Sequence, residues 1–281
     1  MGGTTHLRVA MAQMKVEWGE APRNLAHAAE LIEEAAAQGC QIVVLPECLD
    51  IGWTHPDVAR LAEPIPGPRS DALAEAATRQ GVWVVAGLTE RDADLVYNAA
   101  VLISPDGQIA LKHRKINILE IAQPYYAIGD RLGVARTPLG AIGVDICADN
   151  FRTSLTFAHA LARMGARVLL SPCAWAVDAD HDNHKEPYGG MWEESYTTIA
   201  RLYDVPVVGV SNVGRVRGGP WEGRKCIGCS LAVGRGGRIL AKAPYGEDAE
   251  VVIPVDLDIT PAQVKGTAIA GWLRQKGYEG P

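Results

Sequence analysis

The chain has 281 residues, 48% of them apolar, with 27 Lys and Arg against 33 Asp and Glu for a formal net charge of −6. That length suffices for a large core, and residues 1–281 read as a single domain of the α/β class. The acidic balance and the want of long basic runs argue against nucleic acid or anionic membrane as partners, and no apolar run approaches the ~20 residues of a membrane span.

In chain order, residues 7–13 (LRVAMAQ) alternate as a strand does, and residues 22–39 carry apolar positions at helical period, with Gly39 as the stop. Residues 41–47 (QIVVLPE) form a continuous apolar run of the kind buried on both faces. Pro46 ends its ladder, so Glu47 stands at a strand's C-terminal end, where layered α/β folds build sites. A helix over 70–80 and a strand over 82–88 follow. Strands 96–103 and 108–113 flank the turn Ser104-Pro105-Asp106-Gly107, and this hairpin delivers Lys115. A long polar loop, 117–131, leads to an apolar strand that ends at Cys147.

Cys147 precedes a polar turn and a helical segment over 154–164. At such a strand-to-helix turn a thiolate gains from unpaired N–H groups and from the helix dipole. The second half then repeats the rhythm: a strand over 167–172, a helix over 191–203, a strand over 206–212, a hairpin of 229–233 with 238–243, and a strand over 251–256. Two halves of similar order predict a four-layer α-β-β-α sandwich of two facing mixed sheets with helices outside. The tail from about residue 258 is expected to pack on a partner subunit.

Glu47, Lys115 and Cys147 each stand at the edge of a buried segment, and together they form a chemical kit. A carboxylate can serve as the base that a thiol nucleophile needs, and a lysine can stabilise the oxyanion of acyl transfer. Leu45-Pro46-Glu47, Arg114-Lys115 and Gly143-Val144-Asp145-Ile146-Cys147-Ala148-Asp149 resemble the three signatures of the nitrilase superfamily, the carbon–nitrogen hydrolases with a Glu-Lys-Cys site. The likeness continues through Pro172-Cys173-Ala174-Trp175, the buried strand ending at Asn212, and the closing hairpin.

The resemblance implies that Cys147 forms a thioester, that Glu47 moves the protons, and that Lys115 and the Ala148 backbone N–H hold the oxyanion. It implies a second glutamate after the lysine, for which Glu120 is the candidate. It also implies hydrolysis of a small amide or ureido substrate without a cofactor or metal, in a homodimer or higher homo-oligomer. The scattered cysteines and the absence of a signal-peptide pattern point to the cytoplasm.

The residues after Cys147 depart from familiar amidases and carbamoylases, which follow the cysteine with x-Asp-x-Arg-Phe/Trp-Pro-Glu: here the run is Ala148-Asp149-Asn150-Phe151-Arg152-Thr153-Ser154, with the arginine displaced and Pro-Glu missing. Nitrilases proper carry Trp-Glu directly after the cysteine, whereas Ala148-Asp149 stands here, so an amide is favoured over a nitrile. Asn150, Phe151, Arg152, Trp175 and His181 are the candidate substrate-binding residues. The loop 177–188 is read either as a solvated polar loop or as lining the substrate mouth, its acidic excess in the second case favouring a neutral or cationic substrate; its histidines lack zinc spacing. N-carbamoyl hydrolase and nitrilase are the alternatives within this class. A binding protein that retains the fold, or a redox protein using Cys226-Ile227-Gly228-Cys229, are the readings from other classes.

Overall fold

In β1 (His6–Gln13), Leu7, Val9 and Met11 face one way and Ala10 and Ala12 the other, and both faces are buried. The same division runs through β2 (Ile42–Val44), β3 (Trp83–Asp92) and β4 (Leu95–Ile103). Ile42, Val44, Val85, Ala100 and Leu102 turn toward a second sheet, while Val43, Val84, Ala99 and Val101 pack under α1 (Ala21–Ala37) and α3 (Pro68–Gln80). A strand covered on both sides has no polar face to alternate with, which is why these segments read as continuous apolar runs.

These elements belong to a computed structural model that describes residues 5–261, 271–272 and 275–277. The short helix α2 (Val58–Leu61) precedes α3, and β5 (Ile109–Arg114) closes the first half. The second half consists of β6 (Val134–Thr137), β7 (Gly140–Val144), α4 (Leu155–Arg163), β8 (Val168–Cys173), β9 (Ala176–Val177), α5 (Gly190–Tyr203), β10 (Val207–Ser211), β11 (Val213–Arg215), β12 (Lys225–Ile227), β13 (Leu231–Val233), β14 (Ile239–Lys242) and β15 (Val251–Asp258).

The first sheet has the order β15-β1-β2-β3-β4-β5 and the second β14-β13-β10-β8-β7-β6. Both mix parallel and antiparallel pairs. They face each other across a shared core in which Leu7, Val44 and Leu102 meet Ile142, Val144 and Leu170. With α1 and α3 outside the first sheet and α4 and α5 outside the second, the layering is the expected α-β-β-α sandwich.

Two features complete the topology. β15 crosses back to pair with β1 along its whole length, from His6↔Asp258 to Gln13↔Val251, so the last strand completes the first sheet. The segment before Cys147 is a hairpin of β6 and β7 rather than one strand. The C-terminal tail lies largely outside the described residues; Trp272, which is described, packs beside Tyr203. None of the described helices is long and apolar enough to cross a membrane.

Candidate active site

β2 leaves its ladder after Val44 because Pro46 has no N–H to donate. The chain still follows β3: Leu45 N donates to Val85 O (2.8 Å), Gly87 N to Pro46 O (3.0 Å) and Leu49 N to Gly87 O (2.9 Å). Gly87 permits this approach, since a Cβ there would lie 2.5 Å from Glu47 Cα. Glu47 is thereby pressed inward, 1% exposed, with its backbone N–H donating to Cys173 O at 3.1 Å.

Lys115 follows β5 directly and is 2% exposed, and its ammonium donates to Glu47 Oε1 at 2.6 Å. Asn98, in the middle of β4, donates from Nδ2 to the same oxygen at 2.6 Å and accepts the Lys115 backbone N–H at 2.8 Å. Cys147 opens a 3-10 turn, Cys147–Asn150, at a backbone φ of +47°, a region that non-glycine residues enter only under constraint. Its N–H donates to Ser171 Oγ at 3.0 Å.

Asp149 ties the lysine loop to the cysteine turn. Its Oδ1 accepts from Ile116 N (3.2 Å) and Asn117 N (2.7 Å), and its Oδ2 accepts from Ile146 N (3.1 Å) and lies 2.8 Å from Nε2 of the buried His113. Asn117 adds bonds from Nδ2 to Ala148 O (2.7 Å) and Ser154 Oγ (2.8 Å). The Ala148 N–H itself donates to no group among the described residues, which leaves it free for an oxyanion.

Burial alone would lower the Lys115 pKa, but the carboxylate of Glu47, the Cys147 sulfur and Asp149 outweigh it and hold the ammonium well above its ordinary range. The lysine is therefore a permanent cation set between a carboxylate and a thiol. Burial also pushes Asp145 up to about 6, with Ser171 and Asn150 hydrogen bonds opposing. The arrangement can deprotonate a thiol, hold a negative oxygen and return a proton to a leaving group.

The other candidates are placed less uniformly. Trp175 is buried, its ring stacked on Trp192 at 4.8 Å, and Phe151 stacks on Trp192 at 5.2 Å. Tyr188, at the end of the loop 177–188, accepts from Trp192 Nε1 at 3.0 Å. Burial pushes its hydroxyl well above the ordinary range, and the charge of Cys147 acts in the same direction. His181, on the same loop, faces Tyr245 with 6.3 Å between ring centroids.

The expectations for Glu120, Arg152 and the helix dipole require correction. Glu120 stands exposed in a 3-10 turn, with no hydrogen bond or ion pair to Lys115 among the described residues, because the loop turns inward on Ala122 and Tyr126 instead. Asn150 Nδ2 donates to Ser171 Oγ at 3.0 Å and its carbonyl accepts from Ser195, while its Oδ1 is buried with no partner among the described residues. Arg152 is exposed and paired with Glu194 on α5, away from the buried pair. The helix dipole invoked for Cys147 is also displaced, since α4 begins only at Leu155.

Cys226 and Cys229 are free thiols that pack in different clusters, Cys226 beneath the first sheet and Cys229 against the second, which disfavours a redox pair. Sequence reasoning passed over Asn98, Ser171, Asp149 and Tyr188. For Asn98 and Ser171 a signal exists, namely a lone hydrogen-bonding side chain within an apolar strand.

The carbon-nitrogen hydrolase family profile matches residues 8–264, and the chain belongs to that family. It is 34% identical over 257 residues to a nitrilase of Pyrococcus abyssi, covering 89% of this chain and 90% of that one. It is 31% identical over 247 residues to omega-amidase NIT2-B of Xenopus laevis, covering 84% and 83%. The carbon-nitrogen hydrolase of Helicobacter pylori G27 has the same fold, with a TM-score of 0.80 at 24% identity over 91% of this chain and 90% of that one.

Proposed function

We propose that the chain hydrolyses the C–N bond of a small neutral amide through a Cys147 thioester, with Glu47 as general base and acid and with Lys115 and the Ala148 N–H as oxyanion donors. The observation that carries this reading is the buried Glu47–Lys115 pair at 2.6 Å, in electrostatic contact with a cysteine held at a left-handed turn.

Glu47 takes the Sγ proton as sulfur attacks the carbonyl carbon, and the carbonyl electron pair moves onto oxygen between Lys115 and the Ala148 N–H. The oxyanion then collapses, the C–N bond breaks, and Glu47 passes its proton to the departing amine. Water, deprotonated by Glu47, attacks the thioester carbonyl; the C–S bond breaks, the acid leaves, and the thiol regains its proton. The cycle balances with these residues and water alone.

Support for a neutral substrate comes from what surrounds these residues. Cys48, Trp53, Tyr126 and Ala174 share one apolar cluster, and Trp175 and Trp192, with Phe151 stacked on the latter, belong to the apolar cluster that holds Cys147. The acidity of the 177–188 loop is partly offset, since Asp178 pairs with Arg224 at 2.8 Å and Asp182 with Lys185 at 3.4 Å. The pull toward cations is accordingly weaker than composition implies.

Ammonia release measured side by side from neutral amides, acidic amides, ureido compounds and nitriles tests the assignment. Neutral amides are expected to be hydrolysed fastest. Faster turnover of a nitrile or a ureido compound would replace the amide reading by the corresponding alternative, and faster turnover of acidic amides would overturn the neutral preference.

A further inference from the structure

We propose that Asn98 is a positioning residue for the reaction: its carboxamide clamps one oxygen of Glu47, leaving the other oxygen to exchange protons with Cys147 and the departing amine. The inference rests on Glu47 being the general base.

Asn98 lies on the face of β4 that carries Ala100 and Leu102 into the core between the sheets, and it is fully buried. A carboxylate only accepts hydrogen bonds, so the NH2 end of the amide faces Glu47, and Asn98 Nδ2 lies 2.6 Å from Oε1. The cost of that orientation is visible at the other end: Asn98 Oδ1 is buried with no partner among the described residues. A buried acceptor left unpaired is destabilising, and an alanine such as its neighbours Ala99 and Ala100 would avoid it. The fold carries this orphan oxygen beside one short bond to the proposed base.

The clamp also makes the two carboxylate oxygens unlike. Lys115 Nζ and Asn98 Nδ2 both donate to Oε1, whereas Oε2 has no hydrogen-bond partner among the described residues. With two donors already on Oε1, Oε2 is the oxygen left to accept the proton from sulfur. Asn98 further holds the Lys115 backbone through its own carbonyl at 2.8 Å. One residue of β4 thus fixes the base and the start of the lysine segment together.

The test is the pH dependence of Cys147 alkylation by iodoacetamide, resolved by peptide mass spectrometry, in the wild-type chain and in Asn98→Ala, Asn98→Asp and Asn98→Ser. Thermal unfolding of each variant is recorded alongside, and Glu47→Gln serves as the reference. Loss of a donor to the charged form moves the acid limb of the profile upward. The expected shift for Asn98→Ala is about one pH unit, a tenfold change in proton affinity. Asn98→Asp, nearly isosteric but adding a like charge, shifts it further; Asn98→Ser, which keeps a donor, falls between wild type and Ala.

A folded Asn98→Ala or Asn98→Asp chain with an unmoved limb overturns the proposal. Failure of all three variants to fold overturns it equally, since the residue is then structural. If Glu47→Gln leaves the profile as in wild type, the base assignment itself fails, and that outcome is separate from an Asn98 result because alkylation requires no turnover.

Discussion

Cys147→Ala is expected to abolish hydrolysis, with kcat falling about 10⁴- to 10⁶-fold, the scale on which nucleophile deletions act. The loss should be clean. The side chain removed is small, and the turn that holds it is fastened by other groups: Asp149 to Ile146, Ile116 and Asn117, and Ser171 to the Cys147 N–H. Alanine keeps that N–H and the Ala148 N–H, so substrate affinity should change little while turnover disappears. Steady-state ammonia release with thermal unfolding as a control checks this. Equal hydrolysis by the variant and the wild type would remove Cys147 from the mechanism.

Lys115→Met is the second large effect, and it is expected in two measurements at once. Removing an oxyanion donor costs about 10²- to 10³-fold in kcat. Removing one partner of a buried ion pair strands the other, which costs about 3–5 kcal/mol of stability; here the stranded group is Glu47, 1% exposed. The two losses are separable. In the double variant Glu47→Gln/Lys115→Met the buried pair is replaced by neutral groups, so denaturant unfolding should recover most of the stability while activity stays lost. A double variant no more stable than Lys115→Met would mean that the pair is not what the lysine stabilises.

Much of this candidate site is legible from the chain because each of its three residues follows a segment that reads as a strand. Glu47 follows IVVLP, Lys115 follows a hairpin strand, and Cys147 follows IGVDI, so periodicity alone places them at strand ends. The four layers are legible for the same reason, since strands buried on both faces demand cover on both.

What was not legible depends on contacts distant in sequence. The bond from Asn98 to Glu47 spans 51 positions, and the Asp149 bonds to Ile116 and Asn117 span 33 and 32. No local pattern announces them. Glu120 is the carboxylate that the family resemblance offers after Lys115, but the loop's path is set by the burial of Ala122 and Tyr126, which leaves the carboxylate outside. Arg152 lies close to Cys147 in sequence, and successive 3-10 turns carry it to the surface beside Glu194. β15 returns to the first sheet because β1 would otherwise present an unpaired edge, a requirement of the whole sheet rather than of the strand's own residues.

The central claim is that an acyl group passes through the sulfur of Cys147. Its most direct test is the mass of the intact protein, quenched in acid during turnover of the best neutral amide and mapped to a peptide. The account predicts a transient gain equal to the acyl group, confined to the peptide bearing Cys147 and absent in Cys147→Ala. Turnover with no acyl gain on that peptide, or the same gain on Cys48, Cys173 or Cys229 when Cys147 is replaced, would contradict it.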